Sequence, residues 1–318
     1  MMLLIYVDGL HGINYHRLIT PLRRLEDDIQ MFWIDSLTKL SELELDKVDY
    51  LIVSRKISVA DYGVFRKILN KYNIKLVLDN DDFWELEKHN QANELYFKYL
   101  AHDIKNTIKI ADIIWSPSHV LIKEMKRINP RAEYHYVPNS INPDDPQWQG
   151  GKLPTDQVRF GYLGAMGHAK DVDLVGYDFS DKEMYSVMIE EYPDKFGAKY
   201  VLSPKDTFSY GTLYQYFDVS LVPLGTSKFN QCKSDLKISE AGFTKTAVIA
   251  SNVTPYKQVI EDGITGILVN DKLEWKEAIE GMTLEKATRL ANNLYDFCVE
   301  EYHIDKVNEI RLDSLLKP

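Results

Sequence analysis

The chain has 318 residues, 45% of them hydrophobic, which is enough for two domains with apolar cores. Its formal net charge of −10 argues against broad, non-specific binding to nucleic acid, although a local basic groove stays compatible with it. The two cysteines, Cys232 and Cys298, are too few for a disulfide framework, so we expect a protein of the reducing cytoplasm.

The first residues of the chain are apolar but form too short a run to span a bilayer. They lack a basic lead-in and a small-residue cleavage site, so they predict a first strand rather than a signal peptide. No apolar run approaches the roughly 20 residues of a membrane-spanning helix. Any membrane contact is therefore expected to be peripheral, with the segment Tyr15–Arg24 as the candidate.

Short apolar runs alternate with amphipathic helical patterns, which predicts βαβ units and parallel sheets. In the first half we predict six strands, at Leu3–Val7, Met31–Ile34, Tyr50–Ser54, Lys75–Asp79, Asp112–Ser116 and Tyr134–Val137. The helices between them are predicted at Tyr15–Leu25, Val59–Lys71, Gln91–Ile110 and Ser118–Ile128. Residues 1–138 are thus expected to form one α/β domain.

A composition change marks the domain boundary. Residues 139–157 are rich in Pro, Gly, Asn and Asp and predict an interdomain linker. A second α/β domain is predicted over residues 158–283, and residues 284–318 have a helical pattern.

Two loops of the first domain follow predicted strands, at the edge where open α/β sheets bind ligands. The first contains Gly12, His16 and Arg17, and His11 is an equal alternative to His16 as a ligand contact. The second contains Asp81, within Asp79–Asp82. This acidic loop is interpreted as a site that orients hydroxyl groups; a metal-binding Asp-x-Asp and a solvated loop are the alternatives.

Chemistry-bearing residues also follow the first strand of the second domain. Gly164, His168 and Lys170 lie in a turn where backbone N–H groups and a cation suit phosphate. An ordinary strand–turn–helix with surface side chains is the alternative.

The segment from Asp218 to Asn270 is the most informative. Its predicted strand Val219–Leu224 leads to a loop with Lys233 and Ser234, and a helix through Lys237 and Glu240 follows. Helical spacing places Lys233, Lys237 and Glu240 near one another. Two cations and one carboxylate suit a nucleotide diphosphate, because cations bind phosphate and a carboxylate accepts hydrogen bonds from ribose.

This segment resembles the donor-binding half of retaining GT-B-fold glycosyltransferases of the group-1, family-4-like kind, which include sucrose and glycogen synthases. The matching elements are Glu240-Ala241, the strand Ala247–Ser251 and the Gly-x-x-Gly turn that begins at Gly263. The first of the family's two glutamates falls on Cys232. A subset of the family carries Lys-Ser-x-Leu-Lys-x-x-Glu instead, and Lys233 to Glu240 fit that version.

The resemblance implies two Rossmann-like domains facing across a cleft, with the C-terminal helices returning to the first. It implies sugar transfer from a nucleotide-diphosphate sugar, with a UDP-sugar as the expected donor, retention of configuration, and no tightly bound cofactor or metal. Glu240 would fix the ribose. The implied donor-binding residues are Gly12, Gly164, His168, Lys170, Lys233, Ser234 and Lys237, and the implied catalytic residues are His16, Asp81, Lys170 and Lys233.

Two classes of acceptor fit the sequence. One is a cell-surface glycan or its lipid-linked precursor. The other is a hydroxymethylated DNA base, as in phage-encoded GT-B enzymes, which the chain also resembles; this predicts a DNA groove formed by Arg17, Arg23, Arg24, Arg55 and Lys56. A nucleotide-sugar epimerase and a non-catalytic nucleotide-sugar binder are the rival functions.

Overall fold

The computed structural model describes residues 1–9, 12–86, 100–164, 170–187 and 196–316. The chain divides into two compact units, and each is built on a six-stranded sheet whose neighbouring strands pair in parallel. The first unit comprises Met1–Ser140, Cys232–Ser234 and Ile304–Pro318. The second comprises Ile141–Gln231 and Asp235–His303.

The first sheet has the strand order β2-β1-β3-β4-β5-β6. Its strands are β1 Met2–Tyr6, β2 Gln30–Ile34, β3 Tyr50–Ser54, β4 Lys75–Asp79, β5 Ile113–Ser116 and β6 Glu133–Tyr136. The six predicted strands are confirmed to within one residue at each end. The order reverses direction beside β1, so the β1–β3 carboxyl ends form the switch point where such sheets bind ligands.

Among the described residues of this unit, three full helices follow strands: α1 Tyr62–Lys71, α2 Ala101–Ile110 and α3 His119–Ile128. Side-chain caps fix two of their starts, because Asp61 accepts from the Val64 amide at 2.9 Å and Ser118 accepts from the Leu121 amide at 3.3 Å. Shorter helical segments span Gly12–Asn14, Tyr15–Ile19 (a π-helical turn), Thr20–Arg23, Leu37–Glu42 and Leu45–Lys47. The beginning of the helix predicted at Gln91–Ile110 lies outside the described residues.

The second sheet has the order β12-β11-β10-β7-β8-β9. Its strands are β7 Arg159–Leu163, β8 Glu183–Val187, β9 Tyr200–Leu202, β10 Val219–Val222, β11 Ala247–Ser251 and β12 Ile267–Val269. The full helices are α4 Leu236–Phe243, α5 Lys272–Glu280 and α6 Leu284–Tyr302. Short segments span Pro146–Trp148, Val172–Leu174, Tyr210–Tyr216, Lys228–Gln231 and Thr254–Lys257.

Both sheets are covered on two faces, which explains their apolar strand sequences. Every residue of β3 and of β11 is buried. In the second unit, two clusters of buried side chains contain Phe160 and Trp275 in one case and Phe217 and Ile238 in the other.

The stretch predicted as a linker, residues 139–157, is assigned to the second unit from Ile141 onward, and a few of its side chains anchor it there. Trp148 is buried, and Gln147 accepts a hydrogen bond from the Gly211 amide at 3.1 Å. Lys152 donates to the carbonyl oxygens of Tyr214 and Phe217 at 2.7 and 2.8 Å. Pro and Gly here mark an irregular but anchored segment.

The C-terminal helical region belongs to both units. Helix α6 packs in the second unit, and after an extended residue, His303, helix α7 Ile304–Leu316 packs in the first. There Trp115 donates to Ser314 at 2.8 Å and Tyr50 donates to the Leu315 carbonyl at 2.5 Å. Among the described helices, none combines the length and the hydropathy that crossing a bilayer requires.

Candidate functional site

A buried carboxylate lies at the centre of the second unit's candidate site. Glu240 is on α4, and only 5% of the residue is exposed. Its two oxygens accept hydrogen bonds from the hydroxyls of Tyr210 and Tyr214, the second at 3.1 Å. Both tyrosines come from the helical segment Tyr210–Tyr216 that precedes β10.

Burial raises the pKa of Glu240, and this outweighs three opposing influences: the Tyr210 hydroxyl, the Lys237 charge and the Tyr214 hydroxyl. Burial, together with the adjacent Glu240, raises the pKa of Tyr214 well above its ordinary value. Folding therefore holds Glu240 where its ionised form is disfavoured, which is typical of residues selected for chemistry or binding.

Lys237 lies one turn before Glu240 on the same helix. Its ammonium donates to the carbonyl oxygen of Leu163, the last residue of β7, and lies 6.0 Å from the Tyr162 ring centroid. This contact places the cation at the carboxyl edge of the sheet, where α/β proteins bind ligands. The helical spacing predicted from the sequence thus brings a cation and a carboxylate together.

Gly164 follows β7 directly, and its lack of a side chain has a packing reason. A Cβ at this position would lie 2.1 Å from the Tyr162 hydroxyl oxygen. Of the other residues predicted in this turn, Lys170 is exposed, and His168 lies outside the described residues. The phosphate-binding role predicted for all three stays a prediction.

Gly164→Ala is expected to destabilise the protein by roughly 1–3 kcal/mol, since the Tyr162 ring must move to admit a methyl group. Gly12→Ala is the matched control, because a Cβ there would meet nothing within 4 Å and its effect should stay within about 0.5 kcal/mol. Urea denaturation of both variants measures the difference. Equal stability of the two would contradict the packing explanation.

Lys233 makes a contact that the sequence did not suggest. Because α4 begins only at Leu236, Lys233 lies before the helix, so helical spacing does not relate it to Lys237 and Glu240. Lys233 and Ser234 belong to the first unit, where the Lys233 ammonium donates to Asp82 at 2.7 Å. The other Asp82 oxygen accepts from Arg55 at 2.5 Å.

Asp81, the predicted acidic residue, lies beside this group. Its carboxylate is 3.5 Å from the Arg55 Nε. Burial and the neighbouring Asp82 charge raise the pKa of Asp81, against the opposing charges of Arg55, Lys233 and Arg17. Cations already surround this loop, and the described residues contain no group of three or more His, Cys, Asp or Glu that could hold a metal ion.

Arg17 has a structural role, and its prediction as a DNA contact is wrong. It is 1% exposed, and its guanidinium holds Asp79 with bonds of 2.9 and 2.8 Å. Its neighbour His16 is 4% exposed and meets the Tyr15 ring edge-on at 5.0 Å. A substrate contact by His16 stays a prediction, while His11 lies outside the described residues.

The other members of the predicted DNA groove have separate partners. Arg23 lies 6.0 Å from the Trp33 ring centroid, and Arg24 pairs with Asp305 at 3.0 Å. Lys56 donates to Ser58 at 3.2 Å. With Arg17 buried and Arg55 paired with Asp82, the five residues do not make one open basic surface.

Sequence reasoning missed residues that support the site rather than match a motif. Tyr210 and Tyr214 lie in a stretch rich in tyrosine, and their spacing of four is a helical signal that could have placed both on one face. Asp171 accepts from the Gly225 amide at 2.8 Å and from Asn230 at 3.2 Å, which anchors the loop before Lys233.

No protein-family model matches the sequence, and no curated protein matches it. Solved structures match along almost the whole chain. The chain is similar to sucrose-phosphate synthase from Thermosynechococcus elongatus, with a TM-score of 0.69 at 13% identity over 98% of each chain. The fold is GT-B. A glycosyltransferase from Rickettsia africae gives 0.63 at 13% identity, covering 99% of this chain and 97% of its own. HepE from Anabaena, solved with UDP-glucose, gives 0.62 at 12% identity over 99% of each chain.

Proposed function

We propose that this GT-B protein transfers a sugar from a UDP-sugar to a hydroxyl acceptor with retention of configuration. The observation that carries the proposal is the Glu240 carboxylate, buried beside the Lys237 ammonium on α4. A carboxylate held ready to accept hydrogen bonds suits ribose hydroxyls, and a cation at the sheet's carboxyl edge suits phosphate. The Lys233-to-Glu240 motif supports the retaining, family-4-like assignment.

Uridine is the proposed base because structures with this fold have been solved with it. HepE was crystallised with UDP, with UDP and glucose, and with UDP-glucose. In the present chain, Tyr185 and Tyr200 stack at 4.6 Å in the second unit. Such half-buried aromatic rings suit contact with a nucleotide base.

Departure of the diphosphate is the step that needs stabilisation. We assign this role to Lys237, to the exposed Lys170, and to Lys233 and Ser234, which immediately precede α4. Positive charge arranged before the reaction lowers the barrier as the negative charge develops. Asp81 is proposed to orient the acceptor hydroxyl.

A glycan or a lipid-linked precursor is the proposed acceptor, in preference to a DNA base. The reason is the state of the arginines: Arg17 is buried, and Arg24 and Arg55 are paired with Asp305 and Asp82. Neutralised arginines contribute little to binding the phosphates of a duplex.

The test measures nucleotide release from UDP-, GDP-, dTDP- and ADP-sugars, with and without acceptors. The acceptors are alkyl glycosides, lipid-linked saccharides and hydroxymethylcytosine DNA. We expect UDP release that requires a saccharide, and an NMR spectrum that shows retention in the product. UDP release that requires the DNA would make a DNA base the acceptor in place of a saccharide. A product with inverted anomeric configuration would contradict the retaining mechanism.

The same assay separates the rival functions. An epimerase would change the free nucleotide sugar without an acceptor. A non-catalytic protein would bind the donor and release nothing. If none of the nucleotide sugars binds, the Glu240 site assignment is wrong.

A further inference from the structure

We propose that Asp82 is a positioning residue that orients the Lys233 ammonium for the donor's diphosphate. The inference rests on the proposed function, because it assumes that Lys233 contacts that diphosphate. It gives Asp82 a role different from the one predicted for the acidic loop Asp79–Asp82 as a whole. Its basis is the geometry of three charged side chains in the first unit: Arg55, Asp82 and Lys233.

The Asp82 carboxylate is shared between two cations. One oxygen lies 2.7 Å from the Lys233 Nζ, and the other lies 2.5 Å from an Arg55 nitrogen. The Asp82 side chain is 9% exposed, whereas the Lys233 side chain is 23% exposed. The Asp82 side chain is thus the more enclosed of the two, while part of the Lys233 side chain is exposed.

The backbone fixes Arg55, the anchor of this arrangement. Arg55 has a φ of 59°, a left-handed conformation that non-glycine residues seldom adopt. Its amide donates to the Asp79 carbonyl at 2.7 Å, which ties the end of β3 to the end of β4. The guanidinium therefore meets the loop after β4 in a defined direction, with Asp82 at 2.5 Å and Asp81 at 3.5 Å.

A lysine needs such support because its side chain has four rotatable bonds and loses much freedom when it is ordered. A hydrogen bond to a carboxylate that is itself held by Arg55 makes that ordering part of the folded structure. The diphosphate then meets a cation already in place, which is the usual benefit of preorganisation. On this basis Asp82 acts through Lys233 and not through a contact of its own with the donor.

This mechanism predicts non-additivity in a double-mutant cycle. Calorimetry would give the UDP dissociation constants of the wild type, Asp82→Asn, Lys233→Met and the double variant. We expect each single substitution to weaken UDP binding about tenfold. The double variant should bind UDP no more weakly than Lys233→Met, because the ammonium that Asp82 orients is already absent from that variant. Effects that multiply to about 100-fold, or tighter UDP binding by Asp82→Asn, would overturn the positioning role.

Two controls keep the result interpretable. Asp112→Asn removes a comparable ion pair of the first unit, Asp112 with Arg66 at 2.5 Å, and should leave UDP binding unchanged. Asp82→Glu keeps the charge and should bind UDP within about threefold of the wild type; an equal loss in both Asp82 variants would overturn the proposal. If wild-type protein binds no UDP, the proposed function fails; if it binds UDP and Asp82→Asn binds equally well, only this inference fails.

Discussion

Replacing Glu240 by Gln should reduce turnover of the UDP-sugar at least 100-fold and weaken UDP binding by a similar factor. The physical reason is the loss of a charged acceptor, since each hydrogen bond to an ionised group contributes roughly 1.5–3 kcal/mol. The shape of the side chain and the α4 helix stay the same. Calorimetry with UDP and steady-state kinetics with the UDP-sugar measure the two effects.

The same substitution should leave the protein at least as stable as the wild type. Burial raises the pKa of Glu240 in the folded state, so above that pKa folding keeps a carboxylate ionised where ionisation is disfavoured. For an acid whose pKa is raised by folding, the resulting loss of stability is complete at pH values above the folded pKa. It disappears at pH values below the pKa of the unfolded chain. The advantage of Glu240→Gln should therefore shrink as pH falls through the folded pKa of Glu240 towards the unfolded value of about 4.

The Tyr210 hydroxyl provides a companion test of the same carboxylate. It opposes the effect of burial and lowers the pKa of Glu240, so Tyr210→Phe should raise that pKa further. The acid limb of UDP binding should move to higher pH, because Glu240 would become protonated sooner on acidification. If Glu240→Gln instead lowers the free energy of unfolding together with activity, the role of Glu240 is structural.

The fold was predictable because the central strands of each sheet are buried on both faces. Strands such as β3 and β11 are five residues long, with four apolar residues followed by a serine, and their ends coincide with the predicted ends. The linker was less predictable. Proline and glycine at residues 139–157 indicate irregular backbone, but they do not reveal that Trp148 and Lys152 anchor that backbone in the second unit.

The candidate site was predictable only where it follows helical spacing. Lys237 and Glu240 are three residues apart within one helix, so the sequence alone places them together. The contacts of Glu240 with Tyr214 and of Lys233 with Asp82 join residues 26 and 151 positions apart, and no local pattern encodes them. The charge of a residue does not reveal whether its side chain is buried, so the sequence could not distinguish the buried Arg17 from arginines at an open surface.

Replacing Arg17 by Met should lower the free energy of unfolding by roughly 3–5 kcal/mol, the usual cost of leaving a buried partner charge unpaired. Arg17 and Asp79 are both 1% exposed, and their two bonds measure 2.9 and 2.8 Å. The guanidinium also donates to the Val137 and Pro138 carbonyls, which connect it to the segment after β6. Urea denaturation followed by circular dichroism measures the loss.

Two further variants separate this explanation from a loss of surface charge. Arg23→Met removes an exposed arginine six positions away and should change stability by no more than about 0.5 kcal/mol. Arg17→Met combined with Asp79→Leu removes both buried charges, and should recover much of the stability that Arg17→Met loses, because the unpaired carboxylate causes most of the cost. If Arg17→Met is as stable as Arg23→Met, the buried pair does not contribute the expected stability to the first unit.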